Sequence, residues 1–174
     1  ILIGSYKLLN LQMKSLNFKK KINLINLNNL KNKNLNNNII NLINIEYSSK
    51  KAFEKISNKS NEYIKKSFDV AFQILKRGIT NKLINGPISK KHFLMNKLPG
   101  ITEYLALNFN AKKNAMLIYN KELSVCPITT HLPLKLVHKE INKKKILEKV
   151  ILINDFYKKR FSYKPRIAIL GLNP

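Results

Sequence analysis

The sequence contains one cysteine, Cys126, no tryptophan, and only nine acidic residues among 174. A single cysteine excludes a disulfide framework and a paired-cysteine metal clamp, and it fits a reducing cytoplasm. No apolar run approaches the roughly 18 residues that a membrane span needs, and Ile1 to Ile3 is too short for a signal-peptide core. We therefore expect a cytoplasmic globular protein with no membrane partner.

Positive charge dominates, with 33 lysines and arginines and a formal net charge of +24. Such a balance raises the alternative of a basic nucleic-acid-binding protein, which would bind tightly and with a steep salt dependence. Only Arg77, Arg160 and Arg166 are arginine, the residue preferred for bidentate phosphate and base contacts. Because lysine, asparagine and isoleucine together are typical of AT-rich coding sequence, we do not expect nucleic acid to be the main partner. The charge favours anionic ligands such as phosphorylated metabolites.

Strand-like and helix-like patterns alternate along the chain, which predicts an α/β fold. The first part reads as a partial α/β lobe over residues 1–98 and the second as a partial lobe over 99–174, with the boundary between Gly86 and Thr102. In the first part we expect strands at 1–4, 22–27, 39–45 and 83–84, helices at 6–16 and 58–78, and a loop at the asparagine-rich segment 28–38. Ser60 is the expected N-cap and Gly78 the expected C-terminal stop of the helix over 58–78.

In the second part the pattern predicts short helices at 89–96 and 102–109, the latter with Thr102 as N-cap. Asn142 is expected to cap a long helix whose apolar face comprises Ile146, Val150, Ile153, Tyr157 and Phe161. Strands are expected at 115–119, 123–129 and 167–170.

His131 is the strongest candidate for chemistry, because it follows the strand-like run SVCPITT and precedes a proline turn. Open α/β sheets place their sites at the carboxyl ends of strands, and a loop histidine can bind a metal or transfer protons. The alternative is a histidine that only hydrogen-bonds within the turn. Metal sites usually need about three protein ligands, and the sequence pattern favours solvated surface positions for His92 and His138.

Two further positions, Lys90 and Thr102, could contact an anionic substrate. Lys90 stands at a predicted helix start, where a lysine and the helix amides can meet a phosphate, although a solvated lysine is the simpler interpretation. Thr102 could be an N-cap or a phosphate donor, and Glu103 could merely complement the helix dipole. Asn173 follows a predicted strand at a plausible site edge. The sequence carries no GxGxxG after a strand, no Walker loop, no HExxH and no GxSxG.

The ordered pieces NGPISKKHF, PGITEYLA, MLIY, VCPITTHLPLKLV and KPRIAILGLNP resemble the 4-hydroxythreonine-4-phosphate dehydrogenase family, most clearly from about Ala71 to Pro174. The resemblance implies a two-lobed fold similar to isocitrate and isopropylmalate dehydrogenases, incomplete in this chain, and a homodimer. It implies oxidation and decarboxylation of 4-phosphohydroxy-L-threonine in pyridoxal phosphate biosynthesis. The implied cofactors are NAD or NADP and a divalent metal (zinc, magnesium or cobalt), which would polarise the reacting oxygen.

By position, the resemblance makes His131 a metal ligand and gives Thr102 and Lys90 substrate roles, while no residue is assigned as catalytic. The chain departs from the family pattern at Ile101, where the family has a histidine. The family's second metal ligand would follow Pro174 and its glycine-rich segment would precede Ile1, so we expect a fragment that is inactive alone. Two alternatives stay open: a dehydrogenase for another phosphorylated hydroxy acid, such as threonate or erythronate phosphate, and a non-catalytic remnant.

Overall fold

The computed structural model describes residues 1–32, 35–95 and 97–171. Within the chain, Ile1–Lys97 and Leu98–Pro174 form two compact units. The first contains β1 (Leu2–Gly4), α1 (Tyr6–Ser15), β2 (Ile22–Leu24), β3 (Ile40–Asn44), α2 (Asn61–Lys76) and α3 (Lys90–Phe93), with 3-10 helices at Leu27–Asn32 and Asn58–Ser60. The second contains α4 (Ile101–Asn108), α5 (Leu134–Glu140) and α6 (Lys143–Phe161).

The first unit is built on a parallel three-stranded sheet in the order β1-β3-β2. Leu2 pairs with Leu42 on one side of the central strand, and Ile22 pairs with Ile40 on the other. Leu42 is 0% exposed, as expected for an apolar residue in the middle strand of a parallel sheet. A parallel sheet with a helix after its first strand confirms the predicted α/β class.

Ser5 joins four segments of the first unit. Its hydroxyl accepts a hydrogen bond from the Leu8 amide and so caps α1, and it donates to the Tyr47 carbonyl. Its own amide donates to the Tyr63 hydroxyl at 3.0 Å. The ring of Tyr63 lies 4.8 Å from that of Tyr47. Because Ser5 is buried, these bonds satisfy polar groups that water cannot reach.

The amphipathic helix predicted in the first half is confirmed as α2, with small changes. Its buried residues are Phe68, Ala71, Phe72 and Ile74, which lie on one face of the helix. Ser60 occupies the N-cap position, but its side chain makes no capping bond. Gly78 has a φ of 69°, the left-handed conformation that glycine adopts most easily after a helix.

The second unit is organised by α6. Asn142 caps it by accepting a hydrogen bond from the Lys145 amide at 3.0 Å, as predicted. Tyr157 is buried and its hydroxyl donates to Ser124 Oγ at 2.9 Å. Phe161 stacks on Tyr119 with ring centroids 5.2 Å apart, and Tyr163 packs on the same cluster. Aromatic packing therefore holds this unit together.

Several predicted elements are wrong. Residues 83–84 and 167–170 form no strand, and the strands expected at 115–119 and 123–129 are reduced to one antiparallel bridge between Ile118 and Val125. Part of the segment expected as an asparagine-rich loop is the 3-10 helix Leu27–Asn32. Apolar composition alone does not make these runs strands, because a strand forms only where a neighbouring strand accepts its hydrogen bonds.

Among the described helices, none combines the length and the apolar character that crossing a membrane requires.

Candidate functional site

The start of α4 and the loop that carries His131 meet in the second unit. Thr130 Oγ1 donates a hydrogen bond to Glu103 Oε1 at 3.5 Å. Glu103 lies in the first turn of α4, where a carboxylate is favoured by the helix dipole. This contact fixes the residue directly before His131 against the helix start.

Gly100, the residue directly before α4, is buried next to this contact. A Cβ at this position would lie 2.8 Å from Glu103 Oε2 and 3.3 Å from His131 Nε2. The φ of Gly100 is −167°, an extended conformation that any residue adopts, so the neighbours rather than the backbone require glycine here. The missing side chain thus lets the carboxylate and the imidazole approach the same point.

Glu103 Oε2 is buried and has no hydrogen-bond partner within the described part of the chain. A buried carboxylate oxygen without a partner carries a desolvation cost, commonly about 1–3 kcal/mol. Carboxylates in this situation are often found where a cation or a proton donor completes the site. This oxygen, Glu103 Oε2, lies on the side of the carboxylate that is directed at Gly100 and His131.

The backbone of His131 is strained. Its φ is 56°, which places a residue with a Cβ in the left-handed region. Residues held there cluster at functional sites, because the surrounding structure must enforce the conformation. Its side chain is exposed, so the ring is accessible to a ligand from solvent.

The described residues do not by themselves fit a metal ion. No group of three histidine, cysteine, aspartate or glutamate side chains with suitable spacing occurs within residues 1–32, 35–95 and 97–171. Catalytic metal sites usually have about three protein ligands. His131 could supply one ligand, and any others would have to come from elsewhere.

The structure corrects the expectation for Thr102. Gly100 is the N-cap of α4, and Thr102 is the half-buried second residue of the helix. Its hydroxyl and the first-turn amides lie at the same helix end as Glu103, where the helix dipole favours negative charge. The prediction that Thr102 is an N-cap is therefore wrong, while its substrate role remains a prediction.

The other predicted positions are spread over the chain. Lys90 is the exposed first residue of α3 in the first unit. His92 in the same helix is half-buried, and its Nδ1 shares a hydrogen bond with Ser89 Oγ at 2.8 Å, which corrects the expected solvated position. His138 lies exposed on α5. Asn173 lies outside the described residues.

Cys126 lies on the segment that leads to His131 and is half-buried. Burial raises the pKa of its thiol above the ordinary value, and the positive charge of Lys149 partly opposes this shift. A raised thiol pKa keeps the sulfur protonated near neutral pH, which disfavours a role as nucleophile.

Sequence reasoning missed the part that Gly100 plays and assigned Glu103 only a helix-dipole role. A glycine directly before a helix, with an acidic residue three positions on, was a usable signal. The contact between Glu103 and Thr130 joins residues 27 positions apart. No local pattern predicts such a contact.

A family model described as pyridoxal phosphate biosynthetic protein PdxA matches residues 1–174, the whole chain. The chain belongs to this family. It is 38% identical over 167 residues to a 4-hydroxythreonine-4-phosphate dehydrogenase of Sulfurihydrogenibium, a match that covers 92% of this chain and 52% of that relative. It is also 30% identical over 141 residues to a D-threonate 4-phosphate dehydrogenase of Salmonella typhimurium, covering 78% of this chain and 43% of the relative.

A solved structure supports the same fold. The crystal structure of 4-hydroxythreonine-4-phosphate dehydrogenase from Klebsiella pneumoniae matches with a TM-score of 0.81 and 22% identity, over 99% of this chain and 54% of that one. The mixed α/β arrangement with its small parallel sheet is thus that of the PdxA family. The chain spans about half the length of the relatives it matches.

Proposed function

We propose that this chain is part of a dehydrogenase that oxidises a phosphorylated hydroxy acid, with 4-phosphohydroxy-L-threonine as the first candidate. The observation that carries the proposal is the family match over all 174 residues. The secondary alcohol of the substrate would become a ketone: the carbon that carries the hydroxyl would give its hydride to NAD or NADP, and the hydroxyl would lose its proton to solvent. Loss of carbon dioxide from the resulting 3-oxo acid would follow, as a step in pyridoxal phosphate biosynthesis.

The proposal includes features that the family resemblance implies. These are a two-lobed fold like that of isocitrate dehydrogenases, a homodimer, a cytoplasmic location and a divalent metal. Since the described residues contain no group of three metal-ligating side chains, metal dependence needs ligands beyond them and is part of the test.

Within the second unit, the start of α4 would hold an anionic part of the substrate. Thr102 and the first-turn amides can donate hydrogen bonds to a phosphate or carboxylate. Glu103 does not compete for that position, because its carboxylate is directed at Thr130 and at the space over Gly100. The family resemblance separately gives Lys90 of the first unit a substrate role, and the high net charge would steer an anion toward the protein.

A second candidate substrate is D-threonate 4-phosphate. Ile101 stands where the 4-hydroxythreonine-4-phosphate dehydrogenases carry a histidine, and isoleucine cannot bond a carboxylate or phosphate. Relatives named for D-threonate 4-phosphate match this chain at 30% identity. Erythronate phosphate differs from threonate phosphate in one stereocentre and belongs in the same comparison.

The test starts by determining the complete reading frame that encodes this chain. The protein from that frame is then assayed for NAD or NADP reduction with 4-phosphohydroxy-L-threonine, D-threonate 4-phosphate and erythronate 4-phosphate, with magnesium, zinc or cobalt. We expect activity with one of them that chelation abolishes. The variant H131N should lose nearly all activity, and H138N, which changes an exposed histidine on α5, should retain it.

The alternatives give different results. The 174-residue chain alone should not reduce NAD, because one histidine does not make a metal site. Full activity of H131N would refute the role of His131. A complete frame without activity toward all three substrates would refute the dehydrogenase and favour a non-catalytic remnant.

A further inference from the structure

A groove of about 470 Å³ lies in the first unit, where α1 ends and the chain turns toward β2. Its lining includes four lysines, which are Lys14 and residues 19–21, together with the apolar side chains of Met13 and Phe18. Every lining residue comes from the segment 10–21, so a short continuous stretch of the chain determines its shape. Its volume is in the range of about 300–1,000 Å³ that small-molecule sites commonly have.

Backbone hydrogen bonds hold this turn in place. Asn17 adopts the left-handed conformation with a φ of 51°, which reverses the chain after α1. The Phe18 amide then donates to the Met13 carbonyl at 2.9 Å, and the Lys21 carbonyl accepts a hydrogen bond from the Ile40 amide of β3 at 2.9 Å. The lysines at 19–21 are therefore held beside the last turn of α1.

The groove is strongly positive. Residues 1–45 contain seven lysines and no aspartate or glutamate. None of the four groove lysines forms an ion pair within the described part of the chain. Carboxylates of the first unit lie elsewhere, since Glu46, Glu54 and Glu62 line a separate cavity beside the segment that follows β3. The carboxyl end of α1 carries only about half a negative charge, so it does not offset four ammonium groups.

An aromatic ring accompanies this charge. The Phe18 side chain is 52% exposed, and Met13 in the same groove is half-buried. A planar ring stacks favourably on an aromatic side chain, while phosphates attached to that ring reach lysine ammonium groups. A lysine-rich composition accounts for many surface lysines, but it does not account for an exposed phenylalanine within a cluster of four. The combination fits a ligand that joins an aromatic ring to a chain of phosphates.

The groove is separate from the edge of the sheet where substrates bind. Lys21 directly precedes Ile22, the first residue of β2, so the groove lies at the amino-terminal edge of the parallel sheet. Open α/β sheets bind their substrates at the opposite, carboxyl edge. A ligand in this groove therefore occupies a second site.

We propose that this groove binds a nucleoside triphosphate, with its base on Phe18 and its phosphates against Lys14 and residues 19–21. Charge complementarity favours this occupant, because a triphosphate carries roughly four negative charges at neutral pH and the groove presents four lysines. The proposal does not depend on the dehydrogenase function, and it is tested by binding alone.

Calorimetric titration of the 174-residue chain at constant ionic strength tests the proposal. The ligands are ATP, inorganic triphosphate, which lacks the base, and a single-stranded octanucleotide, all without magnesium. We expect ATP to bind at least about fivefold more tightly than inorganic triphosphate, because stacking on Phe18 adds to the attraction between charges.

Two pairs of matched variants locate the site. K19Q/K20Q/K21Q should weaken ATP binding about 10-fold or more, because it removes three of the four groove cations. K158Q/K159Q/R160Q removes three exposed cations from the end of α6 and should change ATP binding less than about twofold. F18A should reduce ATP binding to the level of inorganic triphosphate. F53A removes another exposed phenylalanine of the first unit and should leave ATP binding unchanged.

Several results would overturn the proposal. Equal binding of ATP and inorganic triphosphate, or an unchanged ATP affinity in F18A, would show attraction to charge alone. Equal weakening by the two triple variants would mean that ATP has no site in the groove. An octanucleotide that binds more tightly than ATP and loses this advantage in F18A would make a nucleic-acid strand the occupant.

Discussion

Thr130 donates a hydrogen bond to the carboxylate of Glu103, so the residue before His131 is tied to the first turn of α4. The same carboxylate reaches over Gly100, where His131 Nε2 also approaches. The position of the imidazole therefore depends on three neighbours, Thr130, Glu103 and Gly100. Each can be changed without touching His131.

Replacing Gly100 by alanine should disturb this cluster. The new Cβ would lie 2.8 Å from Glu103 Oε2, so the carboxylate must move. The His131 ring must also shift by a few tenths of an ångström. We expect a loss of about 1 kcal/mol in the free energy of unfolding, measured by urea denaturation. The control is G171A, which has open space around its Cβ. Equal effects of the two changes would contradict the crowding argument.

Replacing His131 by glycine should stabilise the protein. Glycine relieves the left-handed strain, worth about 1–2 kcal/mol, but loses about 0.5–1 kcal/mol to chain entropy in the unfolded state. We expect a net gain of about 0.5 kcal/mol in thermal or urea unfolding. H131A keeps the strain and removes the same ring, so a gain as large as that of H131G would exclude strain as the cause.

Removing the Asn142 side chain should weaken α6. Its Oδ1 accepts a hydrogen bond from the Lys145 amide, one of the first-turn amides that have no partner within the helix. Loss of such a cap lowers the free energy of unfolding by about 1 kcal/mol. N142A should lower the melting temperature by several degrees. N142D keeps an acceptor beside Lys143 and Lys144 and should retain or slightly raise the stability. If N142D and N142A behave alike, the cap is not what stabilises the helix start.

The thiol of Cys126 should react slowly at neutral pH. Burial raises its pKa above the ordinary 9.0, and Lys149 lowers it in part. The thiolate is the nucleophile, so alkylation by iodoacetamide should accelerate only at alkaline pH. K149Q removes the positive charge that lowers the thiol pKa, so it should shift the pH-rate curve to still higher pH. K144Q, on the same helix, should leave the curve unchanged, and an equal shift there would contradict the assignment to Lys149.

The helices could be predicted because their information is local. Phe68, Ala71 and Phe72 repeat at helical spacing, and Gly78 and Asn142 mark helix ends by their own conformational preferences. β1 and β3 were predicted from short apolar runs that do find partners in the sheet. Similar runs at 115–119 and 167–170 gave wrong strands, since pairing depends on other parts of the chain that no run of residues reveals.

The candidate site was only partly predictable. His131 could be singled out from its place after a strand-like run, although that run proved to be mostly irregular. The N-cap expected at Thr102 is instead Gly100, whose lack of a side chain leaves room for the side chains of Glu103 and His131. That Glu103 Oε2 is buried without a hydrogen-bond partner results from tertiary packing, which the residues next to Glu103 in the sequence do not predict.

The bonds of Ser5 also determine how the first unit can open. One buried residue is bonded to α1, to the Tyr47 carbonyl and to Tyr63 on α2, so β1 cannot leave the sheet without freeing all three. The Ser5 amide should therefore exchange with solvent at the rate of the whole unit's unfolding.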